Sequence, residues 1–305
     1  MVERRRGSGL LAEVGRGDER HHGSRTEPAR PDVSHEVIVR DDGYFDPESA
    51  ICRIGRESVL MLGGGRALLM QAAHPLVAAG IVDHSRYRDD PWRRLARTMT
   101  ALYTIVFGTR AEADRMGEIV RAVHRSVRGR RGRRAYSAAD PRLMLWVHST
   151  LVDTGIAMYE AYVGTVDQEL AEEFYGQMKT VATVFGVPPD VHPATLDDFR
   201  DYQRAMIESG EVRVGPDARE VARSILEPPV PAPFRPAVRA LLLANIGLLP
   251  TPLREQYGLR WTRTDRALFA ASSHSSRRLV VPLLPKPLRL TQRVPLRLLT
   301  AFARL

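Results

Sequence analysis

Two consecutive helices are predicted in a stretch that begins Arg94-Leu-Ala-Arg97-Thr98 and ends Val120-Arg-Ala-Val-His124-Arg-Ser-Val-Arg128-Gly129. Apolar residues recur at helical spacing in 92–107 and again in 111–128, and His124 falls within the apolar stripe of the second helix. Arg94 and Thr98 are four residues apart and therefore share a face of the first helix. We expect this small polar cluster and the histidine to face inward, an arrangement typical of a buried binding site in an all-helical protein.

The rest of the chain also predicts helices, so the expected fold class is all-α. Helical periodicity or helix-start signals are found at 48–54, 66–76, 140–163, 168–185, 196–209, 216–226, 236–249, 250–257 and 263–277. Almost no segment shows the alternation of a β-strand, and 129–134 is predicted to be a basic loop. Residues 1–34 are polar and aperiodic, which predicts a disordered tail before a single helical domain at 35–276.

The composition excludes several classes of protein. The chain has 305 residues, 44% of them hydrophobic, which is enough to build one large core. Cys52 is the only cysteine in the sequence, so no intramolecular disulfide can form. The N-terminus lacks the apolar core of a secretory signal, and the longest nearly uninterrupted apolar run, 240–249, is about half the length that spans a bilayer. These features predict a cytoplasmic protein.

The net charge of +9 comes almost entirely from arginine, since only Lys179 and Lys286 among the 45 basic residues are lysine. Nucleic-acid-binding proteins usually add exposed aromatic residues or a docking motif to their charge; neither is found, so we expect no nucleic-acid partner. The tail 277–305 has no acidic residue, and it includes a predicted amphipathic helix at 295–305. Two interpretations stay open for it: peripheral contact with an anionic membrane, or packing against the domain with its arginines in solvent.

Two further histidines and one glycine are candidates for a site. His148 lies on the apolar stripe of helix 140–163, where it is either a satisfied core residue or, together with His124, one of two inward-facing ligands. Gly155 on the same helix marks a close approach by either a neighbouring helix or a ligand. His74 closes a helix, where capping of the last carbonyl groups and a catalytic role are both open.

Several familiar motifs are absent from the sequence. Gly63-Gly-Gly-Arg66 lacks the lysine and hydroxyl residue that end a phosphate-binding loop, and no strand precedes it. No His-Glu-x-x-His zinc motif occurs, and Cys52 is not part of a recognisable nucleophile motif. The acidic run at 167–173 is typical of a solvated helix face.

Taken together, several of these segments resemble the family that contains the latex-clearing rubber oxygenases and the fungal MpaB-type endoplasmic-reticulum oxygenases. The similarity extends from about Phe45 to Phe269. The matching stretches are Gly64-Gly-Arg66-Ala-Leu-Leu-Met-Gln-Ala-Ala-His74-Pro75, Asp83-His84-Ser85, Arg94-Leu-Ala-Arg97-Thr98, Val120-Arg-Ala-Val-His124-Arg-Ser-Val-Arg128, Trp146-Val-His148-Ser-Thr150-Leu151 and Tyr257-Gly-Leu-Arg-Trp261. Their order and spacing carry the resemblance more than any one of them does.

The resemblance implies an all-helical, partly globin-like fold that binds haem b. In the rubber oxygenases the histidine that ligates the iron lies in a segment similar to 120–128, so His124 is the expected axial ligand. Their distal arginine and threonine correspond to Arg94 and Thr98, which with His74 are the expected catalytic residues. The further residues expected at the cofactor are Arg97, Arg66 and His148.

Two departures from the family pattern limit what the resemblance implies. The rubber oxygenases have a lysine where Arg97 stands, and a guanidinium cannot lose a proton to ligate iron as an amine can. Ligation of the iron by this residue is therefore not expected. The region of their catalytic carboxylate corresponds to 77–85, which offers Asp83 and His84, a predicted loop residue, but no glutamate. The substrate of the rubber enzymes should thus not be carried over.

These features predict a haem b-dependent oxygenase that acts with dioxygen on a hydrophobic, unsaturated or lipid-like small molecule. Two other classes stay open. One is a non-enzymatic haem or lipid carrier, in which His124 and His148 fill both axial positions. The other is a membrane-surface interaction protein that docks through the tail 277–305.

Overall fold

A computed structural model describes residues 42–85, 91–228, 230–285 and 289–290, without the side chains of residues 91–94, 234 and 237. This part of the chain is almost entirely α-helical, which confirms the all-α fold class. The tail predicted at 1–34 and the short helix predicted at 295–305 lie outside the described residues.

The helices follow one another with short connections, and one small hairpin interrupts them. In chain order the elements are α1 (Ala50–Gly55), α2 (Gly64–Ala73), α3 (Pro75–His84), α4 (Pro91–Phe107), α5 (Arg110–Ser126), β1 (Arg128–Arg131), β2 (Arg134–Ser137), α6 (Pro141–Tyr162), α7 (Gln168–Phe185), α8 (Leu196–Glu208), α9 (Pro216–Leu226), α10 (Arg235–Gly247), α11 (Thr251–Gln256), α12 (Arg263–Ser275) and α13 (Val281–Leu283). Short 3-10 helices occur at Ser58–Gly63, Pro189–Val191 and Ala232–Phe234, and a π-helical turn at Ser276–Val280.

Capping side chains set where the helices of the candidate site begin. At α5 the Thr109 hydroxyl accepts the backbone N–H of Glu112 at 3.1 Å, and the Glu112 carboxylate accepts the N–H of Thr109 at 2.8 Å. At α6 the Asp140 carboxylate accepts the N–H of Arg142 at 2.9 Å, as the sequence predicts. Each pair satisfies N–H groups that have no partner within the helix, so these starting points are fixed locally.

The basic segment predicted as a loop at 129–134 instead forms an antiparallel hairpin of β1 and β2. Its turn contains Gly132 at a φ of +56°, a conformation that glycine adopts without strain. The hairpin is held by tertiary contacts, since the Arg131 guanidinium bridges the carboxylates of Asp83 at 2.9 Å and Asp217 at 2.8 Å. The prediction was wrong because the local composition does not reveal these distant partners.

A second correction concerns the helix predicted at 66–76. This helix ends at Ala73, and α3 starts at Pro75, because proline suits the first helical position and cannot continue the preceding helix. His84, predicted to lie in a loop, is the last residue of α3.

Two large clusters of buried side chains form most of the core, and α6 contributes to both. The first joins α1, α4, α6 and α7 and includes Ile51, Ile105 and Phe174. The second packs α2 and α9 around Trp146 of α6. A Cβ atom at Gly155 would lie 3.0 Å from the Phe174 ring, so this glycine marks the close packing of α6 on α7.

The run Gly63-Gly64-Gly65 is the point where α2 begins between three other helices. A Cβ atom on the first glycine would lie 2.6 Å from Met158 of α6. On the second it would lie 2.7 Å from Leu95 of α4, and on the third 3.0 Å from Asn245 of α10. Glycine is required here because neighbouring side chains approach the backbone closely.

The end of the described chain returns to the domain at Glu57. Arg289 donates hydrogen bonds to the Glu57 carboxylate from Nε at 3.1 and 3.0 Å and from Nη2 at 2.7 Å, and Leu290 pairs with the Glu57 backbone. The Glu57 side chain is only 4% exposed. One of the two interpretations of the tail was packing against the domain with its arginines in solvent; Arg289, whose side chain is 33% exposed, instead pairs with the buried Glu57 carboxylate.

Among the described residues, no single helix is long and apolar enough to cross a bilayer. The two helical segments Ser58–Ala73 and Pro75–His84 together have the length and apolar composition of a membrane span, but they are bent by 110° at the break between them. Leu69 and Met70 of this pair are buried in the core.

Candidate functional site

His124 lies on the buried face of α5, in its last turn. It follows Ala113 by eleven residues and Gly117 by seven, spacings that place all three on one side of the helix, and both earlier residues are buried. The α5 helix packs against α4 and α7. The Nδ1 atom of His124 is buried and has no hydrogen-bond partner among the described residues. One nitrogen of this ring is therefore left unsatisfied.

Burial also determines the protonation state of His124. Desolvation lowers the pKa of this imidazole below its ordinary value of 6.5. The neutral form is thus favoured at pH 7, and the neutral form is the one that ligates a metal ion. Because an unpaired buried nitrogen costs free energy, a metal or hydrogen-bonding group bound there would remove that cost.

An uncovered apolar flank adjoins His124 on the same helix. Ile119 is 52% exposed and Val123 is 55% exposed. The sequence predicts Val123 in the inward-facing stripe of α5, but Val123 is exposed, whereas Met116, Val120, His124 and Val127 are partly buried. Large apolar side chains beside a partly buried histidine offer the contact surface that a flat apolar ring system needs.

The first turns of α4 do not bury the polar cluster that the sequence predicts. Arg97 and Thr98 are both exposed, and Ala96 is the buried residue within 95–98. The side chain of Arg94 lies outside the described residues. Helical periodicity predicts which residues share a face, but one small buried residue does not draw the neighbouring polar side chains under cover. The structure therefore presents Arg97 and Thr98 on a surface.

Arg66 is the most completely bonded of the predicted site residues. Its guanidinium donates to the Leu248 carbonyl at 2.8 Å, the Thr154 hydroxyl at 2.6 Å and the Asp153 carboxylate at 2.5 Å. The residue is only 3% exposed. Every nitrogen of the guanidinium is used, so Arg66 joins α2 to α6 and to the residue after α10.

His74 caps the helix that follows it. Its Nδ1 accepts the backbone N–H of Leu76 at 3.2 Å, whereas the sequence suggested a cap on the carbonyls of the preceding helix. Its Nε2 lies 3.8 Å from a Glu211 carboxylate oxygen. Burial lowers the pKa of His74, and Glu211 opposes that effect. These contacts favour the capping interpretation over a catalytic one.

His148 is buried against a second histidine that the sequence did not indicate. Its ring lies edge-on to that of His192, with centroids 6.0 Å apart and planes at 84°. All four ring nitrogens of the pair are buried without a hydrogen-bond partner among the described residues. Burial, assisted by His192, lowers the pKa of His148 to about 3. His192 stands between prolines in a short connection, and only the tertiary fold brings it to α6.

Asp83 and His84, at the end of α3, form hydrogen bonds to the β1–β2 hairpin. The Tyr136 hydroxyl donates to one Asp83 oxygen at 2.5 Å, and Arg131 donates to the other at 2.9 Å. His84 Nε2 lies 3.2 Å from the Arg128 carbonyl. The Asp83 carboxylate therefore has a structural role here.

Within the described parts of the chain, no group of three or more histidine, cysteine or carboxylate side chains could hold a metal ion. Haem does not require such a group, because one axial imidazole and apolar contacts can hold it. His124 and its apolar flank meet both needs, so the residues present fit a haem at α5. An open depression of about 510 Å³ beside Tyr44 and Glu173 includes none of the predicted site residues.

The sequence matches known proteins over most of its length. Residues 52–279 match the family model described as the catalytic domain of ER-bound oxygenase mpaB/B' and rubber oxygenase. An uncharacterized protein of Mycobacterium bovis (Mb2261) and another of Mycobacterium tuberculosis (Rv2237) are each 26% identical to the chain over 209 residues, which cover 66% of this chain and 81% of the relative. No solved structure matches the chain significantly.

Proposed function

Because this chain belongs to the family of ER-bound mpaB/B' oxygenases and rubber oxygenases, we propose that it is a haem b-dependent oxygenase. It acts with dioxygen on a hydrophobic, unsaturated or lipid-like small molecule. Family membership supports oxygenase activity in general, while the haem and the class of substrate are our proposal.

The observation that carries the proposal is the imidazole of His124. It is partly buried, neutral at pH 7 by desolvation, and has a buried Nδ1 without a hydrogen-bond partner among the described residues. Ile119 and Val123 beside it leave an apolar flank in water. A ligand nitrogen and an apolar flank on one helix are what a haem-binding helix needs.

When bound, haem b would supply an iron able to activate dioxygen. The lone pair of the neutral His124 ring would hold that iron. On α4, the Thr98 hydroxyl and the Arg94 guanidinium would donate hydrogen bonds that orient dioxygen or a polar group of the substrate. The Arg97 guanidinium keeps its protons, so Arg97 would not ligate the iron.

The remaining predicted residues would support the site from a distance. Arg66 would act as a positioning residue, because its guanidinium is used in holding α2 to α6. His74 would contribute mainly by fixing the start of α3.

A haem carrier without oxygenase activity is the second candidate function. It rests on His148, whose two ring nitrogens are buried and unpaired among the described residues. In a carrier, His148 and His124 would both hold the iron. A six-coordinate absorption spectrum that His148→Phe converts to five-coordinate would favour the carrier, and an unchanged spectrum would exclude this pairing.

We place the protein in the cytoplasm. The sequence has a single cysteine, Cys52, which is buried and free, so the fold does not depend on an intramolecular disulfide or on an oxidising compartment. Fractionation of cells that express the full chain tests this; recovery of the protein outside the cytoplasm and its membranes would contradict it.

The oxygenase proposal is tested by oxygen uptake of the hemin-reconstituted full chain with a panel of unsaturated lipids. We expect uptake with at least one lipid, and Arg94→Ala should lower the rate about a hundredfold while hemin stays bound. Arg115→Ala, an exposed arginine on α5, is the matched control and should leave the rate unchanged. No uptake with any lipid, or equal rates in both variants, would count against the proposal.

A further inference from the structure

The last helical segment of the described chain has one side packed on the domain. The α12 helix continues through the π-helical turn into α13, so 263–283 forms one helical run. Phe269 packs edge-on against Tyr162, with ring centroids 6.1 Å apart. The Ser276 hydroxyl donates to the Tyr162 carbonyl at 2.9 Å, and Val281 is buried. These contacts fix the orientation of the run relative to α6.

The run also exposes four aliphatic side chains, which we call the C-terminal apolar surface. Its members are Leu268 (55% exposed), Leu279 (57%), Val280 (48%) and Leu283 (77%). They are four of the seven large apolar side chains that are exposed in the described part of the chain. Leu279, Val280 and Leu283 lie within five consecutive residues, and Leu268 lies three helical turns before them on the same run. Exposed apolar side chains gathered in this way usually mark a binding surface, whereas scattered single residues need no partner.

The charge around the C-terminal apolar surface has one sign. Four exposed arginines belong to the same helical run, namely Arg263, Arg266, Arg277 and Arg278. Its one carboxylate, Asp265, accepts hydrogen bonds from the N–H and hydroxyl of Thr262 at the helix start. No acidic residue follows Asp265 in the sequence. The surface therefore combines aliphatic side chains with uncompensated positive charge.

We propose that the C-terminal apolar surface docks on an anionic lipid bilayer. An amphipathic helix binds in the headgroup region when apolar side chains on one side enter the acyl boundary and nearby basic residues meet anionic headgroups. A protein partner is a poorer fit, because the centres of protein interfaces are enriched in aromatic residues and this surface has none. Nucleic acid fits less well, since it offers aliphatic side chains little to bind.

The ion pair between Arg289 and Glu57 supports this orientation. It ties the chain back to the domain six residues after Leu283, which limits how far α13 can move from its packed position. The docking surface is thus attached to the domain at both ends. This inference does not depend on the haem, but it would bring the protein to a membrane, where hydrophobic molecules are concentrated.

Flotation of the full chain with vesicles tests the proposal. We expect flotation with phosphatidylcholine vesicles that contain phosphatidylglycerol and little with phosphatidylcholine alone. The double variant Leu279→Ser, Leu283→Ser should lower the bound fraction on the order of tenfold, and so should Arg277→Glu, Arg278→Glu. These side chains are exposed, so circular dichroism should show an unchanged fold.

Two control variants distinguish binding through the C-terminal apolar surface from nonspecific binding to vesicles. Leu62→Ser removes an exposed leucine elsewhere, and Arg200→Glu reverses an exposed arginine on α8; both should float as the wild type does. Absence of wild-type flotation, or equal loss in the control variants, would overturn the proposal. Dimerisation that the Leu279→Ser, Leu283→Ser variant abolishes, without flotation, would also overturn it and assign the surface to a second copy of the chain.

Discussion

Acid should destabilise this protein through His148, and substitution of this residue by phenylalanine should remove much of the effect. The imidazole titrates at about 3 in the folded chain against an ordinary value of 6.5, because burial and the neighbouring His192 disfavour its charged form. A pKa that is lower in the folded state contributes stability above pH 6.5. That contribution is lost progressively as the pH falls from 6.5 towards 3.

The size of the effect follows from the shift in pKa. A pH of 5 is about 1.5 units below the ordinary pKa of 6.5, so the His148 imidazole is protonated in the unfolded chain. In the folded chain the same imidazole is still neutral at pH 5. At about 1.4 kcal/mol per unit, the folded state loses about 2 kcal/mol between pH 7.5 and pH 5 through His148 alone. Other buried histidines add to the total loss in the wild type.

The assay is urea unfolding of wild type and His148→Phe at a series of pH values from 7.5 to 5. Phenylalanine has a similar shape and removes only a weak contact of the His148 ring with the Met178 backbone, since neither ring nitrogen has a hydrogen-bond partner of good geometry among the described residues. The variant should lose about 2 kcal/mol less than the wild type across this range. His274→Phe, at an exposed position, is the control and should follow the wild type. Parallel curves for wild type and His148→Phe would refute the reasoning.

Three further substitutions test the packing of the domain by thermal or urea unfolding. Glu57→Gln removes the charge that faces Arg289 and should destabilise the fold by about 2 kcal/mol; an unchanged midpoint would show that the ion pair does not form in solution. Gly63→Ala places a Cβ atom 2.6 Å from Met158 and should lower the free energy of unfolding by about 1–3 kcal/mol. Gly176→Ala, inside α7, places its Cβ atom where no other atom lies within 4 Å and should raise the free energy of unfolding by about 0.5–1 kcal/mol. Equal midpoints for the two alanine variants would contradict the packing described at Gly63.

Much of the helical pattern could be predicted from the sequence, because helix ends are chosen locally. The bounds of α7 and α9 are those that the periodicity predicts, and the start of α6 follows from Asp140. The hairpin could not be predicted, since Arg131 pairs there with carboxylates far away in the chain. The need for glycine at Gly63-Gly64-Gly65 could not be predicted either, because it arises from side chains of three other helices that approach this backbone.

The sequence predicted which residue types belong to the candidate site better than it predicted which of their side chains are buried and which lie close together. Periodicity put His124 on a buried face, because a helix repeats its faces whatever it packs against. It could not tell that Thr98 would be exposed, since exposure depends on which neighbour covers a face. His192 was missed for the same reason, as its proximity to His148 arises only when two distant segments pack together.

The most direct test of the central proposal is the absorption spectrum of the full chain during titration with hemin. The wild type should take up hemin with a sharp Soret band, and His124→Ala should lose or shift that band because the axial ligand is gone. His274→Ala, an exposed histidine, should bind as the wild type does. Identical bands for wild type and His124→Ala, or no uptake by the wild type, would contradict the proposal.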